Sequence, residues 1–350
     1  MNDKSQALDL LGRRPKFAVA ALSRSFGFDM DALERHAHTL NWQLLSSNRH
    51  LDWNAGLLEK FADRWDWEIL GFNPALPWDP ALLDQFAHRW NTVSLSENEA
   101  IPWQDDWLRT HADVLVWPLL SGNKKLPWSD GFIADFEQFI DFEVLSGNGH
   151  VPWTTALMDR YADHWDWEAL AANPGLPWSI DLIAKHQDRW TWQSLSTNEG
   201  LPWADVLAHC PQEVDYWFAS GNGGFPWTQE LLIEKADELN FDMLSAVTQL
   251  PWSESLIDAL NPHWQWGNHG ISGNEGITWT TGLIGRYADK LDFFSDFGLA
   301  GNAALPWSAT LLDQYKDRWN WARLSLNRDL WAKAFQAHVT SQDIDSLLTA

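Results

Sequence analysis

Apolar positions along this chain recur on two nested spacings. The short one places them at i, i+1, i+4 and i+8, as in Leu57, Leu58, Phe61 and Trp65, then Leu82, Leu83, Phe86 and Trp90. The same set returns as Leu157, Met158, Tyr161 and Trp165 and as Leu311, Leu312, Tyr315 and Trp319. That spacing draws one stripe along a 3.6-residue period and would scatter over both faces of a strand, so it predicts a helix of about three turns. A shorter apolar pair follows each time: Phe142 with Leu145, Trp167 with Leu170, Trp192 with Leu195. Glu, Gln, Ala and Leu are frequent there and β-branched residues few, which predicts a second, shorter helix. The long spacing is the repeat itself. Trp53, Trp78, Trp103, Trp128, Trp153, Trp178 and Trp203 stand 25 residues apart, and Trp227, Trp252, Trp279 and Trp307 follow at 24, 25, 27 and 28. A fixed period of this size marks one small unit copied and stacked.

The consensus reads L-P-W-[ST]-x-x-L-L-x-x-[YF]-x-D-R-W-x-W-x-x-L-S-x-N-x-x. Ser129, Thr154, Ser179, Thr228, Ser253 and Ser308 follow the first tryptophan, where a hydroxyl caps the amides of the first helix. Proline before that tryptophan stiffens the entry turn. An asparagine closes each unit (Asn48, Asn73, Asn98, Asn123, Asn148, Asn173, Asn198, Asn222, Asn274, Asn302 and Asn327), often directly after glycine, which predicts a left-handed residue ending the second helix. The expectation is an all-α fold: an α-solenoid of eleven to twelve repeats of 25 residues with two short helices each. Residues 1–40 form a weakly basic N-terminal cap, 41–327 the repeats and 328–350 C-terminal capping helices. The string L-S-x-N-x-x-L also fits the strand and turn of a leucine-rich-repeat horseshoe, in which the asparagines would form an internal ladder. Tryptophans where compact leucines belong count against that alternative.

Two stretches carry a further likeness. Trp65-Asp66-Trp67, Leu70, Asn73 and Trp78, and again Trp190-Thr191-Trp192, Leu195-Ser196-Thr197-Asn198 and Trp203, resemble tandem repeats of the form W-x-W-x-x-L-S-x-N-x-x-[IL]-x-W in uncharacterised giant-virus and bacterial proteins. The resemblance covers residues 40 to 327. It implies a repeat type and assigns no reaction.

Charge narrows the partners. The net charge is −24, yet the first 24 residues carry five basic side chains against two acidic, and residues 322–350 balance, so −27 falls on residues 25–321. A body this acidic repels phosphate backbones, which argues against direct nucleic-acid binding by the solenoid. No apolar run is long enough to span a membrane, the first residues lack a secretory layout, and the one cysteine, Cys210, rules out a disulfide framework. These features predict a cytoplasmic protein without membrane contact.

Of the 27 tryptophans, 25 fall in or beside three repeat columns, with Trp107 and Trp331 outside them. Their substitutes, Phe142, Phe241 and Phe293, are apolar, which predicts core packing rather than a ladder of sugar platforms. Arg64, Arg89, Arg189 and Arg318 recur before the second tryptophan, near Asp63, Asp188 and Asp317, as a ladder of ion pairs or a row that binds peptide; His164 and Phe139 interrupt it. The histidines lack metal-ligand spacing, no phosphate loop is present, and no catalytic, cofactor or metal site is predicted. The repeat is irregular between residues 204 and 302, around His209, His263, His269 and Phe294, and insertions in solenoids map to loops on one rim.

The expected function is non-catalytic: a repeat scaffold holding a protein or peptide of basic character, with Arg64, Arg89, Arg189, His209, His263, His269 and Phe294 as candidate contacts. Two alternatives stand beside it. One is an acidic mimic of nucleic acid that inhibits a DNA-binding or nuclease protein; the other is a carbohydrate or small-ligand binder using exposed indoles.

Overall fold

A computed structural model describes residues 3–349 of the chain. Among the described residues every regular element is a helix, 26 α-helices and four short 3-10 helices, and there is no strand. The architecture is an all-α repeat solenoid, and the horseshoe alternative falls with the missing strands. No helix among these residues is long and apolar enough to cross a membrane. The chain divides into two compact units. The central unit holds Trp53–Ala55 and Asp66–Pro226; the terminal unit holds the residues up to Asp52, Gly56–Trp65, and those from Trp227 onward.

Each regular repeat contributes two short helices, such as Thr155–Arg160 and Trp167–Ala172. The first is six residues long, shorter than the three turns expected. It starts as the consensus implies, with the Leu157 amide donating to Thr154 Oγ1 at 3.0 Å and the Phe132 amide to Ser129 Oγ at 3.1 Å. It stops at the aromatic of the stripe: Phe86 and Tyr161 are C-caps, with φ −113 and −114. The chain then turns and returns the second tryptophan beneath the helix it has left. Trp90 Nε1 donates to the Leu83 carbonyl at 3.2 Å and Trp165 Nε1 to that of Met158 at 3.0 Å, covering carbonyls the short helix leaves open. The stripe is therefore buried as expected, with Leu157, Met158, Tyr161 and Trp165 all under 7 % exposed, but by a turn rather than a continuous helix.

The second helices form the close-packed layer. In the central unit Trp67–Phe72 packs on Thr92–Glu97, and Trp167–Ala172 on Trp192–Ser196. Except for Val116, their N-caps are polar, as in Asp66, Asn91, Asp141 and Asp166, each accepting from an amide of the first turn. The closing asparagines overturn the expectation of a left-handed residue. Asn73, Asn123 and Asn173 sit at φ −77, −70 and −78 with ψ 112 to 123, extended backbone open to any residue. What selects asparagine is its side chain. Asn123 Nδ2 donates to the Ser96 and Asn98 carbonyls of the previous repeat at 3.0 and 3.3 Å, and Asn148 Nδ2 to those of Ser121 and Asn123 at 3.0 and 3.4 Å. Asn148 Oδ1 accepts from the His150 amide at 3.0 Å, and the Asn148 carbonyl accepts from Trp153 Nε1 at 2.8 Å. The serine of L-S-x-N works in the same network. Ser146 Oγ donates to the Phe142 carbonyl at 2.7 Å and accepts from the Asp166 amide of the next repeat at 3.0 Å.

The network recurs in the terminal unit. Asn274, Asn302 and Asn327 donate to the repeat before them, and Asn48 donates to the Ser23 and Phe26 carbonyls. The internal ladder imagined for a horseshoe thus exists in a helical fold, because any stacked repeat must satisfy the buried carbonyls its short helices leave behind.

The indoles are interior. Trp53, Trp78, Trp103, Trp128, Trp153, Trp203, Trp227 and Trp307 are buried, and Trp178 and Trp252 are half-buried. Each buried ring contributes on the order of 2–3 kcal/mol, which compensates for helices too short to build a core from leucine alone. In the terminal unit the two chain ends meet. Helix Asp3–Gly12 packs on Ala309–Gln314, and Pro15–Ser25 packs on Trp321–Leu324 and Ser341–Thr349. Phe17 lies edge-on to Trp321 at 5.3 Å, the Arg14 guanidinium lies over the same ring at 3.7 Å, and Lys4 pairs with Asp343 at 3.0 Å. The described residues of 1–40 and 328–350, expected as caps, therefore lie in one unit, where their helices pack on each other.

Candidate functional site

The arginine row has a structural explanation. In each case the cation lies over the aromatic ring that follows the second tryptophan of the preceding repeat or its substitute: Arg64 over Trp42 at 5.4 Å, Arg89 over Trp67 at 5.6 Å, Arg189 over Trp167 at 4.7 Å and Arg318 over Phe293 at 4.0 Å. The residues that interrupt the row do the same with rings of their own. Phe139 stacks on Trp117 at 5.3 Å, His164 meets Phe142 at 5.1 Å, and His263 stacks on Phe241 at 4.9 Å. One repeat has Thr92 in place of the aromatic, and its partner position holds Val114. The column is a set of inter-repeat stacking contacts: Arg64, Arg89, Arg189 and His263 each pack on a ring of the preceding repeat, while Arg64, Arg189 and His263 stay exposed. His209 is exposed at the end of Trp203–His209, with Nδ1 2.8 Å from the Asp205 carbonyl.

Outward positions on the second helices of the central unit are a different surface. Three columns face away from the core, except at Ser94 and Ser194 of the second, which are buried. Glu68, Val93, Pro118, Glu143, Glu168, Gln193 and Trp217 form the first; Ile69, Ser94, Leu119, Val144, Ala169, Ser194 and Phe218 the second; Phe72, Glu97, Gly122, Gly147, Ala172, Thr197 and Gly221 the third. Not one is lysine or arginine. Phe72, Val93, Val144 and Phe218 are exposed among the carboxylates, and Trp217, 54 % exposed, is the one column indole open to solvent. The central unit as a whole carries 24 acidic side chains against 7 basic, a net of −17. Three of its cations are engaged in ion pairs within it: Arg109 pairs with Asp135 at 2.6 Å, Lys124 with Glu99 at 3.5 Å and Lys185 with Asp159 at 2.8 Å. The acidic surplus is thus a property of its surface, interleaved with apolar side chains.

In the terminal unit the irregular repeats build a cleft of about 320 Å³. Trp67 and Asn73 are six positions apart, but Trp266 and Asn274 are eight and Phe293 and Asn302 nine, and the extra residues replace the second helix by a loop ending in a 3-10 turn. Both loops close in the same way, with the Ile271 amide donating to the Gln265 carbonyl at 2.8 Å and the Leu299 amide to that of Asp292 at 2.7 Å. Gly270 and Gly298 are required at these closures, since a Cβ on either would overlap the accepting carbonyl oxygen. His269 takes φ 61, the one positive φ among described residues other than glycine, and stacks on Phe297 at 4.0 Å. The Phe297 amide donates to Asn268 Oδ1 at 3.0 Å, so the two loops are joined. Glu275 pairs with Arg328 at 2.6 Å, and Arg323 Nε donates to the Asp296 carbonyl at 2.8 Å. His269, Glu275, Asp296, Phe297 and Arg323 line the cleft. Phe294, 66 % exposed, lies on the same loop as Phe297 and is not part of the lining.

Among the described residues, no group of three or more His, Cys, Asp or Glu side chains is placed to hold a metal ion. Sequence reasoning named His269 of the cleft. It missed the cation-free columns, whose signal was present as the absence of lysine and arginine from three positions of the period. Comparison with protein families, with curated proteins and with solved structures finds no match to this chain.

Proposed function

We propose that the central unit is a non-catalytic binding surface for a protein or peptide segment that presents basic and apolar side chains together. The observation that carries this reading is the second-helix face, on which Glu68, Glu97, Glu143 and Glu168 alternate with exposed Phe72, Val93, Val144, Trp217 and Phe218 and no cation intervenes. Carboxylates steer a basic segment and set its register, while a large exposed ring supplies the buried anchor that dominates affinity at interfaces. The apolar content favours this reading over a nucleic-acid mimic, which requires a row of negative charge without hydrophobic interruptions. A single exposed indole among the columns likewise gives little support to a stack of sugar platforms.

The test is calorimetric titration of the full chain with an amphipathic Lys/Leu peptide. Binding is expected to weaken steeply with salt, and Trp217→Ala is expected to cost about 2 kcal/mol or more, the mark of an anchor residue. Equal affinity for the parent and for Trp217→Ala, or indifference to salt, sinks the reading. Tighter binding to a basic DNA-processing protein that ignores Trp217 but loses affinity with Glu143→Gln would move the assignment to the mimic.

A further inference from the structure

Much of the polar lining of the terminal-unit cleft is satisfied within the repeats. Asn274 and Asn302 donate to the repeat before them, and their Oδ1 atoms accept from the Gly276 and Ala304 amides at 2.8 Å. Glu275 is engaged at both oxygens, by Arg328 at 2.6 Å and by the Ala303 amide at 3.1 Å. Three features of the lining stay open. Arg323 bonds to the Asp296 carbonyl through Nε at 2.8 Å, and its guanidinium lies against Gly301, where a Cβ would come within 3.1 Å of Nη2. Its terminal nitrogens have no hydrogen-bond partner among the described residues. Asp296 is exposed, and its carboxylate is likewise unpaired among the described residues, with Arg323 included. Phe297, 53 % exposed, stacks on His269 with the two rings 26° apart in plane and presents its ring to solvent.

The backbone at His269 adds to this picture. Glycine would hold a φ of 61 at less cost, so what the imidazole contributes there is its contact with Phe297. A cation and a carboxylate left open on one cleft fit a ligand that carries both charges. An anion alone would meet Asp296 and Glu275, and a cation alone would meet Arg323. A zwitterion brings a counter-charge to each, and the guanidinium fork suits the carboxylate end. An aromatic side chain on the same ligand would pack on the open Phe297 ring. The volume, about 320 Å³, stands at the small end of ligand sites, which run from roughly 300 to 1,000 Å³.

We propose that the terminal-unit cleft binds a free aromatic α-amino acid, with its carboxylate on the terminal nitrogens of Arg323, its ammonium on the Asp296 carboxylate and its ring against Phe297. The full chain would be titrated calorimetrically with three probes: L-phenylalanine, 3-phenylpropionate, which lacks the ammonium, and 2-phenylethylamine, which lacks the carboxylate. L-Phenylalanine is expected to bind saturably and at least about tenfold more tightly than either analogue, each of which forgoes one charge-assisted contact. Two variants assign the ends. Arg323→Gln should erase the preference over 2-phenylethylamine and keep that over 3-phenylpropionate, and Asp296→Asn should do the reverse. The proposal is overturned if L-phenylalanine shows no saturable binding, if either analogue binds the parent as tightly, or if either variant keeps full affinity for L-phenylalanine. It is overturned equally if a variant weakens all three probes alike, the outcome of a purely structural role.

Discussion

The three outward columns of the second helices hold no lysine or arginine in the central unit, whereas Arg24 and Arg323 stand on the same columns in the terminal unit. Both units have 24 acidic side chains, but the terminal unit has 17 basic ones against 7. The bonding that holds the repeats is shared, since Ser146 with Asn148 and Ser272 with Asn302 make equivalent inter-repeat contacts. The difference teaches that fold and surface are written at separate positions of the period. Ser, Asn and the tryptophans carry the network, and the outward columns are left to vary in charge, size and length.

The largest effect tests whether the network is equally necessary in both units. Asn148→Ala would strand the buried Ser121 carbonyl and the His150 amide, the Asn123 carbonyl keeping its bond from Trp128 Nε1, an expected loss of about 2–4 kcal/mol in chemical denaturation. The terminal unit already has Val247 at one such position, which supplies its carbonyl to Asn274 and Trp252 but no donor. Val247→Ala is therefore expected to cost only the lost methyl groups. If the two substitutions cost the same, the side-chain amide is not what holds the repeats.

A smaller contrast lies within the central unit. Trp153 donates its indole N–H to the Asn148 carbonyl, whereas the buried Nε1 of Trp190 has no partner. Replacing either by Phe removes ring volume, but only Trp153→Phe removes a bond. It should be the more destabilising by about 1 kcal/mol, read from the same denaturation midpoints. A larger penalty at Trp190 would mean that ring volume outweighs the bond.

The smallest effect is local and belongs to the terminal unit alone. Burial pushes the Asp292 carboxyl up, but hydrogen bonds from the Ser295 hydroxyl and amide and the Phe294 amide outweigh it and hold the pKa below its ordinary value. The folded loop therefore gains stability that is complete above the unfolded pKa, about 3.9, and is lost as pH falls through the lower folded value. Hydrogen exchange at Phe294 and Ser295, corrected for intrinsic rates, should lose protection at acid pH in the parent. In Asp292→Asn that loss should be absent.

Much of the fold could be read from the chain. The apolar stripe identified the buried face, and the serine or threonine after each first tryptophan identified the cap. Helix length could not be read, because a stripe at i+8 looks the same whether the chain continues helically or turns beneath itself. The asparagines were assigned a backbone role since their partners lie 25 and 27 residues away, beyond any local pattern. The arginine row was legible in principle: Val114 facing Thr92, where the ring is missing, is the signature of a stacking pair.

The placement of the two enlarged loops has a consequence for how such a chain can change length. The added residues at Gly267–Gly270 and Phe294–Gly298 fall between the second-helix aromatic and the Ser-x-Asn segment, so every amide of the ladder keeps its neighbour. An extra residue inside Ser-x-Asn would instead break register with the copies on either side. Duplication of whole units, and growth at that one seam, are the two routes by which this architecture can diversify without first losing its interior.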